Sequence, residues 1–331
     1  MIVARAPLRV PLGGGGTDLP GYASRFGGFV LSAAINKYVY INVNRPHVDD
    51  VIRVKYSRTE EVDDLEQIVH PLVREALRLT GIRGGIEISA MADVPAGTGL
   101  GSSGSFLVAL LTALHGFKRE HPSTYELAEE ACHIEIDRAG QPAGKQDQYL
   151  AAFGGITCLD IARDGRVRVS PLRIAPGTFA EMRNFTLLFY TGLRRESFDI
   201  LAEQGRGAQA DEAAVVENMH RIKEIGLRVK AALESDDLEQ FGLLLDEHWR
   251  AKRGISSKMS SSTIDRWYQL GLQNGALGGK LMGAGGGGFL MFFCPSENGG
   301  KTKLRRAMAA EGLREMPFDF DEEGAKVLMN F

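Results

Sequence analysis

Three glycine clusters limit what this chain can fold into. Glycines packed into a short stretch bury no side chains, and they serve where the backbone must turn tightly or lie close to another group. The clusters stand at residues 13–16, 97–104 and 283–288. Glycine makes up 40 of the 331 residues, roughly 12% against a usual ~7%, and the clusters hold much of the excess.

The middle cluster, Asp93-Val-Pro-Ala-Gly-Thr-Gly-Leu-Gly-Ser-Ser-Gly-Ser-Phe106, runs straight into the helical spacing of Phe106, Leu107, Leu110, Leu111 and Leu114. It is a glycine loop opening a helix. The first turn of a helix carries unpaired N–H groups and a positive dipole end, and glycines let a polyanion approach them, so the segment predicts a phosphate site. The competing reading is a flexible loop in which Ser102 or Ser103 merely caps the helix. A Walker A loop is excluded, because Asn274 precedes Gly279-Lys280 and Pro295 precedes Gly300-Lys301-Thr302 where the motif needs glycine. A hydrolase elbow is excluded too, since Ser105 stands where its last glycine belongs.

The last cluster, Lys280-Leu-Met-Gly-Ala-Gly-Gly-Gly-Gly-Phe-Leu, contains a literal G-x-G-x-x-G at Gly283, Gly285 and Gly288. A dinucleotide fingerprint needs a strand before and a helix after. Here a helix-like stretch precedes and a β-run at 289–294 follows, which argues against a nicotinamide enzyme. The first cluster, Ala6-Pro-Leu-Arg-Val-Pro-Leu-Gly-Gly-Gly-Gly-Thr-Asp18, is a strand that breaks into glycines and ends on an acid. It reads either as a close approach to a ligand or as a tight turn.

Between the clusters the first half alternates strand-like runs (2–10, 38–44, 51–56, 85–90) with helices expected near 64–80 and 103–118. After about residue 171 a strand at 184–190 precedes helical patterns at 211–234, 237–250 and 263–273. Asp236 or Asp237 and Ser261 or Ser262 are the expected caps, and Gly275 is an expected stop. A strand at 289–294, a helix at 301–311 and a last strand near 325–331 suggest a split β-α-β second domain. The length also favours two domains, which we divide at 1–175 and 176–331.

A net charge of −3 and a pI near 6.2 give no basic field for nucleic acid. Cys132, Cys158 and Cys294 are too few and scattered for a disulfide framework and read as buried apolar residues. The N-terminus lacks a signal-peptide core and no run is long enough to span a membrane, so a cytoplasmic protein with no membrane partner is expected. The histidines show no metal spacing. Arg194-Arg195 and Arg250-Ala-Lys-Arg253 offer guanidinium forks for a substrate phosphate, with solvated basic surface as the competing explanation.

Pro95-Ala-Gly-Thr-Gly-Leu-Gly-Ser-Ser103 resembles the P-x-x-x-G-L-G-S-S signature of the GHMP kinases, and the two terminal clusters resemble that family's first and third motifs in the same order. The resemblance spans nearly the whole chain. It implies an α/β (α+β) two-domain fold, with a ribosomal-protein-S5-like N-terminal domain and a ferredoxin-like C-terminal domain, and ATP with Mg²⁺ bound between them. Gly-Gly-Gly-Thr-Asp18, Gly144-Lys-Gln-Asp-Gln-Tyr149 and Gly278-Gly-Lys-Leu look most like the bacterial heptose 7-phosphate kinases, which phosphorylate the anomeric hydroxyl for surface polysaccharide. Gly15-Gly16 replaces the Glu-His of galactokinases. Fucokinase-type relatives and a non-catalytic sugar sensor of the same fold stay open, as does a homo-oligomer.

By the same resemblance, Asp147 is the catalytic aspartate and Arg9 its basic partner. Glu135 and the Ser103 hydroxyl are the magnesium ligands. Pro95, Ala96, Gly97, Thr98, Gly99, Leu100, Gly101, Ser102, Ser103 and Gly104 hold the nucleotide. Gly14, Gly15, Gly16, Thr17, Asp18, Gly285 and Gly286 face a small-molecule sugar or sugar phosphate, with Asp18 bonding a sugar hydroxyl. Phosphoryl transfer chiefly asks for positioning, charge neutralisation and a carboxylate at the attacking hydroxyl, and this set is sufficient for it.

Overall fold

A computed structural model describes residues 1–193, 197–210, 212–295 and 299–331. The strands are β1 (Ile2–Gly13), β2 (Gly28–Asn44), β3 (Ile52–Lys55), β4 (Thr59–Val62), β5 (Ile86–Ala92) and β6 (Ile156–Ile161). They continue as β7 (Val167–Pro171), β8 (Thr186–Tyr190), β9 (Gly278–Leu281), β10 (Phe289–Phe293), β11 (Arg314–Glu315) and β12 (Lys326–Asn330). The first sheet runs β12-β1-β2-β5-β3-β4, with β6 and β7 added beside β2. Besides β1, β2 serves two further neighbours, pairing with β6 through residues 28–33 and with β5 through residues 39–44.

β1 is buried along nearly its whole length because it packs on the helices Ser102–Lys118 and Ala213–Glu234. Its prolines lack an N–H for the ladder, and the register with β2 shifts after Pro7 and after Pro11. The freed Pro7 carbonyl accepts from Ser105 Oγ at 2.7 Å, which ties the helix start to the strand.

The second sheet runs β11-β8-β10-β9, all antiparallel. With the helices between β8 and β9 and the helix Gly300–Ala310 between β10 and β11, this is the ferredoxin-like arrangement. One strand differs from expectation. The fourth strand of this sheet is Arg314–Glu315, whereas the last strand of the chain returns to the first sheet and pairs with β1. What precedes the third glycine cluster is also a strand, β9, where a helix-like stretch was expected.

Several element ends follow local chemistry. Asp237 accepts from Gln240 N–H at 2.9 Å and Ser261 from Ile264 N–H at 3.3 Å, as expected of caps. The expected 64–80 helix is broken: a 3₁₀ turn Leu65–Gln67 precedes the helix Pro71–Thr80, which Pro71 opens from its first turn. Residues 176–185 form a helix before β8, and a further helix Ser197–Gln209 precedes Ala213–Glu234; neither was foreseen. The three cysteines are free and buried.

The third glycine cluster, between β9 and β10, presses on the middle one. A Cβ on Gly283, at φ +68°, would overlap Gly99 Cα, so both loops use bare backbone to close the gap between the sheets.

The helix Ser262–Gln273 lays Gly271 flat on the Phe292 ring, which itself stacks on Tyr268. In an open helix Gly→Ala gains about 1 kcal/mol, but overpacking a core costs about 1–3 kcal/mol. Gly271→Ala is therefore expected to lose about 1 kcal/mol of stability in urea unfolding, and a gain would mean that Phe292 has room to move.

Candidate active site

Arg9 lies near the end of β1 and is only 6% exposed. Its Nε donates to Asp147 Oδ1 at 2.7 Å, its Nη2 lies 2.7 Å from the same oxygen, and its Nη1 donates to the Gly99 carbonyl at 2.6 Å. Asp147 sits in the first turn of the helix Gln146–Phe153, at the positive end of that helix's dipole. Its backbone lies against Gly104, where a Cβ would stand 2.6 Å from Asp147 Cβ. Any larger residue at 104 displaces the acid.

The helix Ser102–Lys118 starts at Gly101 in a left-handed conformation, and no side chain caps it. Ser102 and Ser103 therefore do not consume the first-turn N–H groups, which removes the capping alternative and leaves an anion site. Ser102 Oγ has no hydrogen-bond partner. Thr98 is buried with its hydroxyl on the Pro95 carbonyl at 3.0 Å, and Leu100 is fully buried in the core.

Two further carboxylates converge here. Asp18 is buried, accepting from Gly16 N–H at 3.1 Å and from Gln146 N–H at 3.0 Å. Burial pushes its carboxyl up, against those two backbone bonds, and the neighbouring Asp147 adds to the rise. Glu135 projects from a π-helical turn, His133–Arg138, a distortion often found at functional sites. It is 2% exposed and accepts from Gln148 Nε2 at 2.7 Å. Burial pushes its carboxyl up to about 7, opposed by hydrogen bonds from Ser103 and Gln148 and assisted by the Asp147 charge.

Two lysines close the other side. Lys252, near the end of the helix Leu238–Arg253, donates to the Gly283 carbonyl, and burial lowers its amine to about 8. Lys280, in the middle of β9, is 1% exposed and its Nζ has no partner among the described residues. Two of the other basic candidates lie elsewhere. Arg250 pairs with Asp246 and Arg253 with Asp265 on the surface, and Arg194 and Arg195 lie outside the described residues.

These groups line one cavity of about 870 Å³, within the ~300–1,000 Å³ usual for small-molecule sites. Arg9, Asp147, Glu135, Asp18, Gly15 and Gly16 reach its wall, together with Pro95, Ala96, Gly97, Gly99, Gly101, Ser102 and Ser103. Gly14, Thr17, Thr98, Leu100, Gly104, Gly285 and Gly286 do not. Thr17 Oγ1 donates to Gly14 O and Phe29 O, and Gly286 N–H donates to Met259 O, so these positions shape the loops behind the wall. The third cluster contributes Gly283 and Ala284 instead.

Sequence reasoning missed Lys280 and an apolar lobe formed by Tyr56, His70, Met91 and Phe106, where the His70 ring stacks on Phe106 with centroids 5.0 Å apart. Lys280 follows two glycines in a stretch that reads as helix-like, so its burial had no signal in the sequence. The lobe had none either, since its residues come from separate elements.

A glycine-loop helix start facing a clamped aspartate, between a mixed-sheet first domain and a ferredoxin-like second one, defines a kinase of the GHMP type. Residues 67–155 match the GHMP kinases N terminal domain and residues 229–312 the GHMP kinases C terminal domain, and the chain belongs to this family. It is 32% identical to D-glycero-alpha-D-manno-heptose 7-phosphate kinase of Campylobacter jejuni, over 98% of both chains. The crystal structure of a D-glycero-D-manno-heptose 1-phosphate kinase from Bacteroides thetaiotaomicron superposes with a TM-score of 0.81 at 27% identity, covering 100% of each chain. The L-fucokinase/L-fucose-1-P guanylyltransferase of Bacteroides fragilis is 26% identical over 88% of this chain but only 34% of its own length.

Glu135 gives the folded protein a defined pH response. Its carboxyl is raised above the unfolded value of ~4.3, so its own contribution to stability is fully present below that value and is lost as pH rises to about 7. Between pH 5 and 8, urea unfolding of metal-free protein should show about 2–3 kcal/mol more loss for wild type than for Glu135→Gln, at ~1.4 kcal/mol per unit. Equal pH slopes would mean that Glu135 is solvated.

Proposed function

We propose that the chain is an ATP-dependent sugar kinase whose acceptor is the anomeric hydroxyl of D-glycero-D-manno-heptose 7-phosphate. The observation that carries this reading is the Asp147 carboxylate held by Arg9 beside an uncapped helix N-terminus. The helix start and glycine loop hold the ATP phosphates, and the lobe of Tyr56, His70, Met91 and Phe106 suits the adenine ring. Asp18 orients the sugar by a hydroxyl. Asp147 aligns the attacking hydroxyl and takes its proton as the new sugar O–P bond forms and the β,γ-bridging P–O bond breaks, releasing ADP. Arg9 offsets charge on the phosphoryl group in transfer.

The donor set also suits Mg²⁺. Glu135, Ser103, the unpartnered Ser102 Oγ and the unpartnered Gln148 Oε1 are all hard oxygens around one recess. No group of three or more His, Cys, Asp or Glu is placed to hold a metal ion among the described residues, and Mg²⁺ is commonly held by one or two carboxylates plus substrate phosphates. When bound, the ion neutralises charge on the β- and γ-phosphates. The division at 1–175 and 176–331 and a cytoplasmic location belong to the same reading. No helix among the described residues is long and apolar enough to cross a membrane.

The heptose relatives are named for a 7-phosphate in one case and a 1-phosphate in the other, so the acceptor panel must contain both. Scored by ADP release, the heptose 7-phosphate should exceed the 1-phosphate, the free heptose, L-fucose and galactose in kcat/KM. The reaction should stop with EDTA and recover with Mg²⁺. A preference for L-fucose or galactose would overturn the heptose assignment, and ADP release unaffected by EDTA would overturn the metal.

A further inference from the structure

Two buried amines line the cavity with no salt bridge to either among the described residues. Lys280 pairs in register with Met291 of β10, so its stem is fixed by the ladder, yet nothing among the described residues meets its Nζ. Lys252 has only the Gly283 carbonyl. The acids nearby are already engaged: Asp147 holds Arg9, and Asp18, whose charge acts on Lys252 but not on Lys280, accepts two backbone N–H groups. His248, one turn before Lys252, is fully buried with neither ring nitrogen partnered among the described residues; burial and the two lysines push it well down, so it stays neutral. Arg9 adds a third cation close enough to act on both lysines.

A buried, unpaired ammonium is strongly unfavourable, and an apolar residue of the same length would serve β9 better. Both lysines line the cavity, so the missing partner can come from a ligand. Two compact point charges with three donors each match a phosphate dianion.

We propose that Lys280 and Lys252 form a buried phosphate-binding recess behind the third glycine cluster. The kinase reading on which this rests offers two sources for the dianion, the phosphoryl group in transfer and the sugar's own phosphate. The recess is a site for either by the same chemistry.

Inorganic phosphate is the probe, titrated calorimetrically into the full chain without nucleotide and again with a saturating non-hydrolysable ATP analogue. Wild type should bind phosphate, and Lys280→Met and Lys252→Met should each weaken it roughly tenfold or more, the loss of one charge-assisted bond. Lys280→Met alone should raise Tm in the absence of phosphate, because it removes an unpaired buried charge. If the lysine-dependent binding survives the analogue, the recess holds the sugar's phosphate; if the analogue abolishes it, the recess holds the phosphoryl group in transfer. No phosphate binding by wild type, or unchanged affinity in the folded variants, overturns the proposal. If no panel sugar is phosphorylated while binding stays lysine-dependent, the substrate assignment falls and the recess stands.

Discussion

One guanidinium ties the molecule's working parts together. Arg9 reaches from β1 to the carboxylate of Asp147 and to the carbonyl of Gly99, while its own backbone N–H donates to Leu100 O at 3.0 Å. The first strand, the glycine loop and the helix Gln146–Phe153 thus meet at a single side chain. Burying that charge is tolerable because a carboxylate and a carbonyl satisfy it directly. A lysine at this position could not span both partners, since it lacks the planar fork.

The second constraint is the lack of side chains where the glycine clusters meet. Gly99 and Gly283 touch through bare backbone, which brings β9, with Lys280, against the first domain's glycine loop. The cavity is walled by both domains for this reason. Its lining carries acids at Glu135, Asp147 and Asp18 and cations at Arg9, Lys252 and Lys280, the two signs of charge that the proposed metal–phosphate ligand needs.

Local signals in the sequence carried much of this. The loop running into Phe106 and Leu107 identified its helix to within one residue, and Asp237 and Ser261 cap where side-chain chemistry says they should. The motif resemblance named Arg9, Asp147, Glu135 and Asp18 together, and all four line one cavity. Long-range pairing was not legible. Nothing in residues 325–331 says that they join β1, and the two-residue strand β11 is too short to carry a pattern. The π-helical turn that aims Glu135 inward has no sequence period of its own. Lys280 was passed over inside a glycine-rich motif, because its burial depends on a sheet and a helix that assemble around it.

The account makes Arg9 and Asp147 one functional unit, and a double-mutant cycle measures that directly. With whichever panel sugar is turned over, kcat is compared for wild type, Arg9→Gln, Asp147→Asn and the double variant. Groups that act as a unit are non-additive, so the double variant should be no more than a few-fold slower than the worse single one. Losses that multiply across the two substitutions would show that Arg9 and Asp147 act separately, and would contradict the clamp at the centre of this structure.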